Sequence, residues 1–413
     1  MKILQINAVW GYKSTGVIAR DIGEAVERAG GEAVERAGGE AYFAYQTKSG
    51  EVKRGYTVGN KLDWKAHAFL SRVFGKQAYF SRHATKKLIK HIENILPDVV
   101  HLHNLHSNFV NLDLLLDFLG KRNIPTVVTM HDCWYFTGKC YHYQDVSCDK
   151  FTTDCKKCPK WRGNPPSFFF DKASCMLADK KKYFGAIPTL HFVGCSDWIC
   201  NEARRGFLKD MNISRIYNGV DTDIFKPTDR DAARAAYSIP QSARVFMGMA
   251  NKWLGPENAG LVEKAAERIG ENNVLLLVGC SDAEKTKISS LGLKNVVAIG
   301  YVSGREALAK IYSMADVFVN ATHADTLPTV NMESICCGTP VVTYNSCGSP
   351  ELILPGCGKV VARGDQDALI EATLSVTERI DAGSLAAARE AFDKNKCYEK
   401  YIELYKALMK RKD

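Results

Sequence analysis

Short apolar runs punctuate the chain at intervals that suit strands separated by helices. In the first half they fall at residues 3–9, 99–102, 126–130 and 190–193. In the second half they fall at 245–249, 274–278, 296–299, 317–319 and 341–343. They are rich in Val, Ile and Leu and lack polar alternation, as expected of strands buried on both faces of a parallel sheet. Helix-like stretches lie between them, so the pattern predicts an α/β protein of two doubly wound, Rossmann-like domains. The turn signal Asn218-Gly219-Val220-Asp221, followed by Lys226-Pro227, puts the junction near residue 220. The expected domains are 1–220, with a Cys-rich insertion at about 133–185, and 221–390. A closing helix over 391–413 is expected to pack back toward the first domain.

Polar residues sort to one end of these runs. Asn7, His103, Asn104, His106, His131, Asp132 and Ser196 come at or just after strand ends in the first half. Asn251, Lys252, Gly279, Gly300 and residues 320–322 do so in the second. Open α/β sheets bind ligands outside the carboxyl ends of their strands. Two such edges facing each other predict one cleft between the domains.

The stretch 320–338, NATHADTLPTVNMESICCG, is the sharpest of these ends. Pro328 opens a short helix, and Gly338 followed by Thr339-Pro340 closes it. Asp325 precedes the helix and Glu333 lies within it. Its N-terminus carries unpaired N–H groups and partial positive charge, a ready phosphate site, although acidic residues there also serve as plain caps. Ser14-Thr15-Gly16 makes a comparable turn after the first strand, where glycine lets backbone approach a phosphate or an acceptor. Neither GxGxxG nor GxxxxGK[ST] occurs in the chain, which counts against dinucleotide oxidoreductases and P-loop nucleotidases.

Three further stretches stand out. The octapeptide GEAVERAG occurs twice in tandem, at 23–30 and 31–38. A second copy is about 80° out of phase with an apolar helix stripe, so one copy is expected to pack and the other to project. Residues 61–92 alternate apolar and basic positions, a pattern that fits a helix on an anionic membrane or an ordinary surface helix. Cys140, Cys148, Cys155 and Cys158 have the spacing C-x7-C-x6-C-x2-C, ending in CxxC, and fit a small structural zinc site or free thiols. The apolar tip Phe168-Phe169-Phe170 follows and could touch lipid or pack inward.

Composition narrows the partners. The net charge of +9 suits an anionic ligand or an anionic membrane surface, while no nucleic-acid-binding signature is present. No apolar run reaches membrane-spanning length and the start is not that of a secretory signal, so a cytoplasmic protein is expected. Fourteen cysteines then read as reduced thiols, and Cys195, Cys280 and Cys336 as core.

With these residues in view, the chain resembles a retaining family 4 glycosyltransferase of the two-domain GT-B fold, of the kind that builds bacterial capsule, exopolysaccharide or O-antigen. The resemblance rests on STGVIARDIGEAVERAGGEA, VVHLHNLHSNFVNLDLL, TVVTMHDCWYFTGKC, IYNGVDTDIFKP, IGYVSGREALAKIYSMADVFVNAT and ADTLPTVNMESICCGTPVV, in that order. It implies a nucleotide-sugar donor, a saccharide or lipid-linked acceptor, and no cofactor for catalysis. Glu333 would accept bonds from the ribose, and Asp325 would contact sugar hydroxyls near the reacting carbon. Backbone around Leu327, Pro328, Thr329 and Val330 would meet the donor at the helix start. Gly16 would approach the diphosphate or acceptor, His131 would face the sugar, and His103, Asn104 and His106 would wall the acceptor side. The protein would work in the cytoplasm, at the inner face of the membrane.

Two departures from the resemblance matter. Asp325 stands where the family has Glu. After Trp253, where a basic pair is usual, the chain reads Leu254-Gly255-Pro256-Glu257-Asn258, leaving Lys252 as the substitute cation. A sugar-nucleotide-binding scaffold and an epimerase of the same architecture therefore stay open beside the transferase.

Overall fold

In the computed structural model, which describes residues 1–29, 39–163 and 165–410, every apolar run singled out above is a strand. The chain divides into two compact units. One comprises Met1–Tyr217 with a second segment that begins at Tyr398, and the other is Asn218–Cys397.

The first unit holds a seven-stranded parallel sheet in the order β3-β2-β1-β4-β5-β6-β7. Its strands are β1 (Lys2–Trp10), β2 (Glu40–Lys48), β3 (Gly55–Thr57), β4 (Val99–Leu102), β5 (Thr126–Met130), β6 (Leu190–Gly194) and β7 (Ile213–Arg215). The second unit holds a six-stranded parallel sheet in the order β10-β9-β8-β11-β12-β13. Its strands are β8 (Val245–Met249), β9 (Val274–Val278), β10 (Val296–Ile299), β11 (Val317–Asn320), β12 (Val341–Tyr344) and β13 (Gly358–Val361). Both are Rossmann-like. In each, the order reverses once, between β1 and β4 and between β8 and β11, and a reversal of this kind opens a crevice at the carboxyl ends.

Four strands escaped the sequence pattern for one reason. Residues of β4, β5, β9, β11 and β12 are all buried, so their composition is continuously apolar. By contrast β3, β7 and β13 are edge strands with no fully buried residue, and β2 is only partly covered. Polar residues are tolerated there, and the apolar signal dissolves.

The final helix, Lys394–Lys410, enters the first unit and ends on its core. Tyr405 Oη pairs with His101 Nδ1 at 2.6 Å, and Tyr401 Oη with Thr129 Oγ1 at 2.9 Å. Thr129 Oγ1 also meets His101 Nε2 at 2.7 Å, and all four residues are fully buried.

The first GEAVERAG copy lies at the end of the helix Lys13–Arg28 and packs inward through Gly23, Ala25 and Val26. The second copy lies outside the described residues. The chain returns at Gly39, where an added Cβ would come 2.2 Å from Val26 O, so the two flanks of residues 30–38 adjoin. Deleting residues 31–38 should therefore shorten the connection without disturbing either flank. We expect the thermal midpoint of the deletion variant to stay within about 3 °C of the parent, the effect of less than about 1 kcal/mol. A drop beyond about 8 °C would mean that the second copy stabilises the fold.

Candidate functional site

The carboxyl edge of the second sheet is organised by a closed ring of buried hydrogen bonds. Asn320 Nδ2 donates to Asn331 Oδ1 at 2.8 Å, and Asn331 Nδ2 donates to Ser349 Oγ at 2.9 Å. Ser349 and Thr343 hydroxyls meet at 2.7 Å, and Thr343 Oγ1 donates to Asn320 O at 3.1 Å. Since the Thr343 proton goes to Asn320 O, the Ser349 proton must go to Thr343. Each of the four residues is at most 3% exposed. The ring joins the ends of β11 and β12 to the helix Thr329–Cys336, whose start is thereby fixed relative to the sheet.

Pro328 caps this helix in extended conformation and has no N–H to offer. Leu327 N–H is taken by Asp325 Oδ1 at 3.1 Å. Of the expected donor-facing backbone, the N–H groups of Thr329 and Val330 remain at the helix start, where no intrahelical acceptor exists. Glu333 lies one turn in and accepts from Tyr312 Oη at 3.1 Å. Burial lifts its carboxyl to about 7, against the pull of the Tyr312 hydroxyl and the Arg305 charge.

A second staple joins β8 to β11. Asn258, buried, donates to Lys252 O at 2.8 Å and to Ala321 O at 2.7 Å, and its Oδ1 accepts from His323 Nε2 at 3.0 Å. Burial lowers the pKa of His323, helped by the charges of Arg363 and Lys252 and opposed by Glu257. These three charged groups thus act on one place at the sheet edge. The Glu257 carboxylate folds over Gly255, where a Cβ would meet Oε2 at 2.7 Å. Arg363, just beyond β13, is a cation that the sequence reading did not single out, nor did it single out His323, Asn258 or Arg305.

The first unit carries an open chain of hydrogen bonds. Gln5 Nε2 donates to Ala19 O at 2.8 Å, so Gln5 Oε1 accepts from His103 Nε2 at 2.9 Å. A neutral His103 then has a bare Nδ1, which accepts from His131 Nε2 at 3.0 Å. His131 in turn presents a bare Nδ1, buried and without a hydrogen-bond partner among the described residues. Burial holds the His131 imidazole down at a pKa of about 4, and His103 lies well below its ordinary value for the same reason. Both rings are neutral at neutral pH.

Asn7 ties the neighbouring strand ends together. Its Oδ1 accepts from Asn104 N at 3.2 Å, and its Nδ2 donates to Thr15 O at 3.1 Å. His106 Nε2 meets Asp132 Oδ2 at 3.0 Å, and its ring lies 4.5 Å from that of Tyr141. Burial alone would raise the Asp132 carboxyl, but His106 and the Trp134 N–H outweigh it and leave it low. Gly16 is buried, and a Cβ there would press on Val9 Cγ2 at 3.0 Å and Val9 O at 3.2 Å. Packing against the end of β1 is thus one constraint that favours glycine here, beside the ligand approach expected from sequence.

Cys140, Cys148, Cys155 and Cys158 line one small cavity. All four are free thiols, and among the described residues no group of three or more His, Cys, Asp or Glu side chains is arranged to hold a metal ion. The zinc expectation finds no formed centre here. Cys140 and Cys158 share a hydrogen bond that raises the first thiol and lowers the second to about 7. Beside them the buried Lys180 donates to Trp134 O at 2.5 Å and to Thr137 O at 3.0 Å, which holds the turn after His131 in place without a metal.

Comparison with known proteins bears on this geometry. Residues 31–224 match the family model described as Glycosyltransferase Family 4, and residues 244–396 match Glycosyl transferases group 1. A protein of Escherichia coli K12 described as a colanic acid biosynthesis glycosyl transferase, WcaC, is 26% identical over 326 residues. That alignment covers 76% of this chain and 77% of WcaC. Among solved structures, sucrose-phosphate synthase from Thermosynechococcus elongatus superposes with a TM-score of 0.66 at 17% identity, over 100% of both chains. Anabaena HepE in complex with UDP-glucose gives 0.63 at 14% identity, over 98% of this chain and 100% of that one. Each half of the chain thus matches a glycosyltransferase domain model, and the fold is two Rossmann-like units of the GT-B type.

Two measurements check this site. Asn331→Leu opens the ring and strands Asn320 Nδ2 in the core, so chemical denaturation should show a loss of about 2–4 kcal/mol. A loss below about 0.5 kcal/mol would deny the ring its structural weight. Glu333 has a folded pKa of about 7, above its ordinary 4.5. Its protonated form is the better tolerated one, so its contribution is intact below the lower value and is lost as pH climbs through the higher. Relative to wild type, Glu333→Gln should therefore gain about 1–3 kcal/mol of stability between about pH 5 and about pH 8. A pH-independent difference would contradict a carboxylate whose desolvation outweighs its Tyr312 and Arg305 partners.

Proposed function

We propose that this chain transfers a glycosyl group from a nucleotide-sugar donor to a saccharide acceptor. We further propose that the acceptor is lipid-linked, that the anomeric configuration is retained, and that the product enters a bacterial surface polysaccharide. The likeness to WcaC supports the last element. The observation that carries the reading is the helix start at Thr329, anchored by the closed ring and bracketed by Asp325 and Glu333.

The roles follow from the chemistry of the groups. Departure of a nucleoside diphosphate leaves positive charge on the sugar and adds negative charge to the phosphate. The Thr329 and Val330 N–H groups, with Lys252 and Arg363, meet that negative charge. Groups held in place before the reaction do this most effectively. Glu333, as carboxylate, accepts from the ribose hydroxyls, and Asp325 from hydroxyls near the reacting carbon. The bare His131 Nδ1 accepts a sugar hydroxyl, with His103 as the positioning residue that fixes its tautomer. Asn104 and His106 line the acceptor side, and Gly16 keeps the β1 turn tight. HepE binds UDP-glucose, so uridine diphosphate sugars are the first donors to try.

Glu257 favours a second reading, a binding protein without turnover, because a carboxylate beside the phosphate site weakens the grip on an anion. The two readings separate on activity. Purified protein should be stabilised thermally by one class among UDP-, GDP- and dTDP-sugars, since a ligand of the folded state raises stability by mass action. With that donor and a membrane-extracted acceptor, Lys252→Ala and Arg363→Ala should each lower kcat/KM by about 10–100-fold, the effect of one charge-assisted bond. Nuclear magnetic resonance of the product reports retention or inversion. Donor stabilisation with no turnover in the wild type would favour the binding protein. No stabilisation by any nucleotide sugar would remove both readings.

A further inference from the structure

The helix Lys61–Phe74 departs from the pattern of its neighbour. Of its 14 residues only His67 and Ser71 are buried, whereas Arg82–Ile95 buries Ala84, Thr85, Leu88, Ile92 and Ile95 at helical spacing. The second helix is thus the ordinary surface helix that the basic pattern allowed. The first is not. Leu62, Lys65, Phe69 and Arg72 fall on one side of it, at i, i+3, i+7 and i+10, and all four are exposed. Leu62 is 78% exposed and Phe69 61%.

The end of this helix meets a second apolar element. Phe168 N–H donates to Arg72 O at 2.7 Å. Phe170 O and Ser167 Oγ crowd Gly75 so closely that a Cβ there would come within 2.3 and 2.7 Å of them. This contact fixes the corner 168–170 beside Phe74. Its rings follow one another at 6.2 and 6.4 Å, and Phe74, Phe168, Phe169 and Phe170 are all exposed. Phe74 and the three corner phenylalanines make an exposed apolar cluster at the end of the helix, and Leu62 and Phe69 stand exposed on its outer face, the kind of apolar surface that marks an interaction site.

Charge selects the partner. Lys61, Lys65 and Arg72 stand exposed along the helix, and Lys172 Nζ lies 5.5 Å from the Phe170 ring centre. The carboxylates nearest in sequence, the half-buried Asp63 and the exposed Asp171, are engaged in hydrogen bonds of their own. Asp63 accepts from Ser81 Oγ, and Asp171 accepts from Cys158 and Ala173 N–H. Aromatic rings at an apolar face with cations around them suit the boundary between phosphate headgroups and acyl chains. A cavity of about 140 Å³ beneath this surface, lined by Arg72, Asn108, Lys139 and Tyr141, reaches Tyr141 where it packs on His106.

We propose that the outer face of the Lys61–Phe74 helix and the 168–170 corner together dock this protein on an anionic lipid bilayer. The phenylalanines enter the headgroup–acyl boundary and the cations meet lipid phosphates. The docking itself does not depend on the transfer reaction; only its purpose, presenting the acceptor-side edge to a lipid-linked acceptor, rests on that reading.

Full-length protein is to be sedimented with vesicles of phosphatidylcholine alone and with about one-third phosphatidylglycerol. Binding should be at least about 10-fold stronger to the anionic vesicles and should fall in about 0.5 M salt. The triple variant Phe168→Ser, Phe169→Ser, Phe170→Ser and, separately, Lys65→Glu with Arg72→Glu should each reduce it about 10-fold or more. Thermal midpoints, stabilisation by the donor and turnover of a short soluble acceptor should stay unchanged. The proposal is overturned if the wild type binds neither vesicle, or binds both equally. It is also overturned if the same substitutions instead dissolve a dimer or release a protein partner while vesicle binding persists. Vesicle binding in a protein without turnover would leave the docking standing and remove only the transfer reading.

Discussion

Everything at the second sheet's edge depends on four buried side chains satisfying one another. Asn320, Asn331, Ser349 and Thr343 pass hydrogen bonds in one direction around a closed circuit, so each of the four side chains both gives and receives support within it or at the Asn320 backbone. A fully satisfied polar network rigidifies a core, whereas a partly satisfied one weakens it. Here the circuit spans two strand ends and a helix, and it holds the helix start that the proposed donor site uses. The first unit offers the opposite case. Its line from Gln5 through His103 to His131 is directional too, but it stops at an unpaired ring nitrogen. Closed circuits build scaffolds. An open line leaves one acceptor waiting for a hydroxyl.

Electrostatics divides the same way. In the proposed donor site the helix start is joined by Lys252 and Arg363, whose charges both act on His323, and Glu333 is desolvated enough to resist ionising despite the Tyr312 hydroxyl. Glu257 works against the cations, yet its carboxylate folds over Gly255 and stays exposed, where water and salt screen it. The balance of these groups sets how strongly an anionic donor can be held.

How much of this was legible in the sequence varies with burial. Strands covered on both faces announced themselves as apolar runs, and the strand-end sorting of His103, His131 and residues 320–322 followed from them. The helix over 329–336 was readable from Pro328 and Gly338, and Gly338 does adopt the left-handed conformation, with φ of 77°. The edge strands β3, β7 and β13 were not readable, although the apolar edge strand β10 was, and missing β13 concealed Arg363, which sits just past its end. Hydrogen-bond partnerships were out of reach as well. Nothing in the spacing says that Leu327 N–H is taken by Asp325, or that Val9 lies over Gly16. The cysteine spacing brought four thiols to one cavity, but spacing alone does not distinguish a packed cavity from a metal centre.

The tyrosine clasp of the last helix has a consequence for how the chain is made. The first unit's strands leave the ribosome early, but Tyr401 and Tyr405, which pair with Thr129 and His101, are made only after the whole second unit. At common elongation rates the interval between residue 217 and residue 398 is on the order of ten to forty seconds. Through that time two buried polar groups on β4 and β5 lack their hydroxyl partners, and the first unit is only conditionally folded. A ribosome that stalls, or a message cut short, releases a chain whose core is left unsealed and open to proteases. The tyrosine clasp therefore ties completion of the first unit to translation of the second.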